Sequence, residues 1–138
     1  VKYLSNDLFD VEPVILDSTD SIDSVVADVL TRNGAIFLTN DEELKNVSAN
    51  IVSLASQSSK FVFSSNIACI ENGVLAATAS PVKDLSYIAA EDADKILKGA
   101  KVSDIPIKTD IAFAIYVSKS TAESFNIDVP KIDNVILF

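Results

Sequence analysis

Short β-branched runs alternate with helix-periodic stretches along this chain, and that alternation limits its possible folds more than any other feature. "EPVILDS" (12–18), "AIFL" (35–38), "KFVFS" (60–64), "AFAIYVS" (112–118) and "NVILF" (134–138) carry strand composition, the first over roughly 13–17. "VLAAT" (74–78) fits a further short strand. Ile22, Val25, Val26, Val29 and Leu30 recur at the spacing of one helix face. So do Leu44, Val47, Ile51, Leu54 and Ala55, and then Leu85, Ile88, Ala89, Ala93, Ile96 and Leu97. Residues 118–125 fit a short fourth helix. Strands alternating with helices predict a single α/β domain over 1–138, a three-layer α/β/α arrangement with a mostly parallel sheet.

The punctuation agrees with this order. Asp20 is placed to cap the first helix, and Asn33-Gly34 to end it through a left-handed residue. Thr39-Asn40 would cap the second, with Asp41, Glu42 and Glu43 loading its positive end. Asp84 leads the third, Gly99 fits the position just past its end, and Pro106 lies beyond. Asn72-Gly73 suits either a hairpin turn or a turn at one end of the sheet, the βαβ order favouring the second.

Composition narrows the chemistry. The formal net charge is −9, with Arg32 the single arginine, so the protein lacks the cationic footprint that nucleic acid requires. No histidine is present, which removes Ser-His-Asp and Cys-His catalysis and the commonest transition-metal ligand. The single cysteine, Cys69, forms no internal disulfide and suits a small buried apolar position. The three glycines are too scattered to cradle a phosphate, and no nucleophile-elbow motif occurs. Asp41, Glu42 and Glu43 point in different directions on a helix, so they cannot converge on one metal ion. No enzyme activity, cofactor or metal is therefore expected.

In an open parallel sheet, ligands bind beyond the carboxyl ends of the strands. That rule selects Thr39 and Asn40 after the 35–38 strand, Ser65 and Asn66 after 60–64, and Ser80 with Asp84 after 74–78. Short polar side chains and helix N-terminal N–H groups at such a rim suit a small polar or zwitterionic ligand. The same residue types are also ordinary helix caps.

Longer motifs carry a resemblance. "ENGVLAA" (71–77), "ILKG" (96–99) and "SDIP" (103–106), with "AIFLTND" (35–41) and "STAESFNIDVP" (120–130), resemble the ABC-transporter substrate-binding proteins of the aromatic amino-acid type. The match runs over most of 12–130. It departs from the family at Ser65-Asn66, where an Asp is usual, at residues 81–86, and at Phe125-Asn126, which replace Leu-Gly. The resemblance implies the C-terminal lobe of a type I periplasmic-binding fold, truncated by one strand, one helix and the other lobe. It further implies a solute-binding component of an ABC importer, taking a ligand such as an amino acid between two lobes. Such a protein works outside the cytoplasm with permease subunits as partners, anchored through a segment outside this chain. A ligand-sensing domain of the same fold is the alternative. A lobe without its neighbour would expose apolar edges, and "NVILF" is the expected contact for a homo-oligomer.

Overall fold

The computed structural model describes residues 9–17, 21–108 and 112–138. Its helices are α1 (Ile22–Arg32), α2 (Glu42–Gln57), α3 (Val82–Leu97) and α4 (Lys119–Ser124). Its strands are β1 (Ala35–Leu38), β2 (Phe61–Ser64), β3 (Ala76–Ala79), β4 (Ala114–Val117) and β5 (Val135–Leu137). Two short 3₁₀ helices, Ile67–Asn72 and Val102–Asp104, lie between them. The sheet runs β1-β2-β3-β4-β5. β1–β2, β2–β3 and β4–β5 are parallel, and β3–β4 is antiparallel. The expected mostly parallel sheet with flanking helices is the architecture observed.

Alternation along the strands sorts side chains onto two faces. Leu38, Val62 and Ala77 bury one face against Val26 and Leu30 of α1, Ile51 and Ala55 of α2, and Cys69, Ile70 and Val74. Ile51 and Ala55 are almost wholly buried. The other face carries Phe61, Phe63, Ala76, Ile115 and Val117, covered by Ala122 of α4 and by Ile127 and Val129. Phe125 seals α4 to the sheet, its ring 4.9 Å from that of Phe61 in an edge contact.

The 65–75 crossover joins two parallel strands without an α-helix, a short path for a connection of this kind. Asn66 starts it by accepting a hydrogen bond from the Ala68 N–H, 3.0 Å away. Gly73 ends it at φ +93, with Val52 Cγ1 3.2 Å from where a Cβ would stand. Asn72-Gly73 therefore turns the backbone below the sheet, and a two-residue hairpin is not formed.

Several local expectations are corrected. Residues 12–17 form no strand, and Ile15 is 90% exposed. A strand needs a ladder, whereas β1 is the terminal strand of the sheet, and Glu12 is drawn instead to Arg32 and Asn33 at the end of α1. The Asp20 cap lies outside the described residues, and Ser21 occupies the N-cap position without a side-chain bond. Asn33 is extended at φ −119, and Gly34 is not left-handed, because the backbone passes directly into β1. The carbonyl ends of α1 are satisfied from elsewhere: the Lys60 ammonium donates to the Leu30 and Asn33 carbonyls. Asp41, rather than Thr39 or Asn40, caps α2, accepting from the Glu43 and Leu44 N–H groups. The third strand is displaced to 76–79, because Val74 and Leu75 finish the crossover. Helix α3 starts at Val82 after Pro81, so Asp84 stands inside its first turn. Its apolar stripe contributes no buried residue: Leu85 and Ile96 are exposed, and Leu97 is 86% exposed.

One departure from the resembled family keeps the geometry it replaces, and the strand expected of the 134–138 run is formed. Asn126 takes φ +54 just after α4, the left-handed position that the resembled family fills with glycine, and Asn tolerates that region best among the larger residues. The 134–138 tail docks on its own sheet as β5, the Phe138 N–H donating to the Val117 carbonyl at 2.8 Å.

The caps and the α1 ion pair make two predictions. Asp41→Ala should cost about 1 kcal/mol in urea unfolding, and Asn40→Ala less than ~0.5 kcal/mol; equal losses would show that Asp41 is not the cap. Hydrogen bonds from Arg32 first, and from Asn33 second, hold the Glu12 carboxyl below the ordinary carboxylate range. A depressed carboxyl stabilises the fold above its unfolded pKa, and that stabilisation is lost as pH falls through the folded value. Glu12→Gln should therefore flatten the fall in thermal midpoint between about pH 5 and pH 3, where carboxyl groups titrate. A variant that loses stability as steeply as the parent over that interval would contradict the ion pair's role.

Candidate functional site

The parallel arrangement of β1, β2 and β3 brings their carboxyl ends to one end of the sheet. Leu38 pairs with Ser64 and Ser64 with Ala77, and the Ser65 N–H extends the ladder to the Leu38 carbonyl at 3.0 Å. Thr39, Ser65 and Thr78 thus stand level on three neighbouring strands. Within β3, alternation turns Thr78 away from the face of buried Ala77, while Thr39 and Ser65 each follow directly on the last residue of their strand. Neighbouring strands are about 4.8 Å apart, so the three residues form a row that a small molecule could span.

Five of the six sequence-selected residues gather here. Thr39 and Asn40 are exposed on the β1 side, Ser65 and Asn66 half-buried at the centre, and Ser80 half-buried past β3. Asp84 stands apart, exposed in the first turn of α3 beyond Pro81. Thr78 was not anticipated. Its signal is present in the sequence, as a lone Thr in the small apolar run "LAATA", but its level in the sheet depends on where β3 begins.

The support beneath the row is rigid. Ser64, 1% exposed, donates through Oγ to the Leu38 carbonyl at 3.2 Å and accepts from the Asn66 N–H at 2.9 Å. Its hydroxyl therefore ties the end of β2 to β1 and aims the turn that carries Ser65 and Asn66. One register step below Leu38 and Ser64, Phe37 and Phe63 pair on the sheet face opposite to them, and Phe37 is 59% exposed. The surface is polar at the rim and aromatic just beneath it.

Two helix starts at this end are already occupied. Asp41 takes the first free N–H groups of α2, and Asn66 takes that of the 67–72 turn. At the start of α3, just past Ser80, no side chain caps the helix, so its first N–H groups are not taken by a cap. Among the described residues, no hydrogen bond engages the side-chain hydroxyls of Thr39, Ser65, Thr78 or Ser80. These hydroxyls, with the Asn40 and Asn66 amide N–H groups and the uncapped start of α3, are groups a ligand could engage, and each hydroxyl both donates and accepts.

The rim is open rather than enclosed. A hollow of about 10 Å³, lined by residues including Val52, Lys60, Phe61 and Gly73, lies near the amino end of β2 and holds at most a water. Among the described residues, no three His, Cys, Asp or Glu side chains are placed to hold a metal ion, and no helix is long and apolar enough to cross a membrane.

Comparison with known proteins supplies the family. The family model "ABC transporter substrate binding protein" matches residues 1–136. No protein with a curated description matches in sequence. Among solved structures, the ligand-free, open form of CD0873, a substrate-binding protein with adhesive properties from Clostridium difficile, superposes with a TM-score of 0.74 at 20% identity. That match covers 85% of this chain and 40% of CD0873. An ABC domain from Streptococcus pneumonia in complex with L-Trp matches at TM-score 0.65 and 26% identity, over 80% of this chain and 37% of that one. A conserved domain protein from Vibrio cholerae matches at 0.62 and 17%, over 79% of this chain and 37% of that one. This chain thus spans about two fifths of the length of each structure it resembles. Its sheet, its flanking helices and its match from end to end agree: the chain belongs to the ABC transporter substrate-binding protein family.

Proposed function

We propose that this chain forms one lobe of the solute-binding component of an ABC importer, and that Thr39, Asn40, Ser65, Asn66, Thr78 and Ser80 make one wall of the ligand cleft. The observation that carries the reading is the level row of unengaged hydroxyls across the carboxyl ends of three parallel strands. A solute-binding role follows from the family. The importer assignment, the permease partners and an extracytoplasmic location, with an anchor outside this chain, are the finer steps proposed here.

The surface of α3 supports the single-lobe reading. Sixteen residues of amphipathic helix contribute nothing to the core, although Leu85, Ile88 and Ile96 share one stripe. A helix with an apolar stripe is stable against another element, not in water. Lys108 pairs with Asp92 at 3.3 Å, tying the segment after α3 back to the helix. In this reading the stripe faces the second lobe. The open outer edge of β1 and the half-covered Phe37–Phe63 face would be closed by further elements of the same molecule.

The ligand proposed is a free amino acid. Hydroxyls that donate and accept suit a carboxylate and an ammonium alike, and the aromatic step beneath them suits an apolar side chain. The streptococcal relative holding L-Trp is consistent with that class. One wall of a cleft leaves much of a ligand in water, so the isolated lobe should bind weakly.

Nuclear magnetic resonance titration of the protein with single amino acids, at millimolar concentration, tests this. The amides of Thr39, Ser65, Asn66 and Thr78 should shift together with at least one amino acid. Ser65→Ala should weaken that binding by up to about tenfold, the scale of one lost hydrogen bond, with the thermal midpoint unchanged. Shifts confined to another surface, or no shifts with any amino acid, would remove the reading.

A further inference from the structure

Two Asn-Gly pairs occur in the sequence, Asn33-Gly34 and Asn72-Gly73. An Asn followed by Gly is chemically labile, because no Cβ hinders the approach of the next backbone nitrogen to the asparagine amide. The Gly nitrogen attacks the Asn Cγ, the Cγ–Nδ2 bond breaks, and ammonia leaves with the displaced protons. The resulting succinimide ring then adds water at either carbonyl. One opening gives aspartate, and the other gives isoaspartate, with the backbone routed through Cβ and Cγ. No oxidant or reductant takes part, and water is the only co-reactant.

The fold restrains both partners of this reaction at Asn72. Its Nδ2 donates to Ser48 Oγ at 2.7 Å and to the Lys45 carbonyl at 3.4 Å, which pulls the side chain toward α2. Ser48 is fully buried and spends its own proton on the Lys45 carbonyl at 2.7 Å, so its lone pairs face the Asn72 amide. The nucleophile is engaged as well: the Gly73 N–H donates to the Ile70 carbonyl at 3.0 Å. Ring closure requires both bonds to open. At Asn33 the restraint is a surface one. Its Nδ2 donates to Glu12 at 3.0 Å and to the Val29 carbonyl at 3.2 Å, and Glu12 is 42% exposed in its ion pair.

The product at position 72 could not rebuild the same corner. A carboxylate has no N–H to give: it would face the Lys45 carbonyl as acceptor against acceptor, and could take the Ser48 proton only if that hydroxyl left the Lys45 carbonyl. Acceptor against acceptor beside a buried serine costs the lost bond and adds repulsion. Isoaspartate would also lengthen the backbone just before Gly73, whose φ of +93 and tight approach to Val52 leave little freedom.

We propose that Asn72–Gly73 is a self-modification site that the native fold keeps silent, so that conversion marks copies in which the 65–75 crossover has opened and hinders their return. The inference does not depend on the ligand-binding reading.

The test follows both Asn-Gly pairs by mass-spectrometric peptide mapping, on the whole protein incubated at mildly alkaline pH in native buffer and in urea. In urea the two should convert at similar rates. In native buffer Asn72 should convert about tenfold or more slowly than in urea, since reaction waits on local opening, and more slowly than Asn33. Equal native and denatured rates at Asn72, or native conversion as fast as at Asn33, would overturn the proposal. Ser48→Ala should raise the native rate at Asn72 and leave the rate in urea unchanged; an unchanged native rate would count against the restraint. Asn72→Asp supplies the product directly, and a thermal midpoint equal to the parent's would show that the corner rebuilds without the amide.

Discussion

Everything at the carboxyl end of this sheet depends on a short crossover being held closed. β2 and β3 are parallel neighbours, so the backbone must travel the length of the sheet between them, and it does so in residues 65–75 without an α-helix. The 67–72 turn is too short to be stable in water by itself. It persists because Cys69, Ile70 and Val74 are buried against α2, and because Asn72 is bonded to Ser48 on that helix. The Gly73 backbone then releases the crossover in the one direction that lets Leu75 pair with the Val62 carbonyl at 2.8 Å. The register of β3 against β2 follows, and with it the level of Thr78 beside Ser65. A slip of one residue would turn Thr78 to the core and Ala77 to the rim.

The two faces of the sheet are unequal, and the inequality carries meaning. One face is closed by α1 and α2 packing together on Leu38, Val62 and Ala77. The opposite face is closed only toward β4 and β5, by α4 and the segment after it, while Phe37 remains largely exposed at the β1 edge. Helix α3 has an apolar stripe with nothing buried. An α/β layer structure is stable when each sheet face and each helix stripe has a partner. Uncovered apolar surface lies at β1 and along α3, and also at Ile107, Phe113 and the 136–138 end of the sheet. The structures this protein resembles are more than twice its length, and the proposed single-lobe reading would give these surfaces a partner.

The fold class was legible because periodicity is a local signal. Val26, Leu30, Ile51 and Ala55 announce their helix faces in the order of residues alone, and their burial follows that pattern. Residues 12–17 have the same strand composition as 35–38, yet they form no strand. Composition reports a tendency to extend, while a strand also needs a neighbouring ladder, which no local pattern encodes. The α3 stripe failed for the same reason: periodicity names the face, not the partner. Caps were misplaced by one or two residues because Thr39, Asn40 and Asp41 are all competent, and only backbone geometry selects Asp41. The rim was legible as a set, since strand ends follow from strand positions. Thr78 was missed because its place depends on the crossover ending at Leu75, a matter of burial and of the Gly73 turn.

The electrostatics of the rim constrain how recognition can work. The protein is strongly acidic, and Asp41, Glu42 and Glu43 crowd the start of α2 next to Thr39 and Asn40. A helix dipole usually offsets such a cluster by offering N–H groups to an anion. Here Asp41 accepts from the Glu43 and Leu44 N–H groups and Asn66 from the Ala68 N–H, while the start of α3 has no side-chain cap. A carboxylate arriving at this wall meets hydroxyls, which can donate, but no fixed positive charge among the rim residues. Hydroxyl bonds in water exchange with solvent at little net gain, and they gain strength when water is excluded. If these residues line the proposed cleft, their hydroxyls position a ligand more than they hold one. In the proposed cleft, further attraction for a carboxylate would come from the uncapped start of α3 and from a cation on the opposite side, and closure would strengthen both by excluding water.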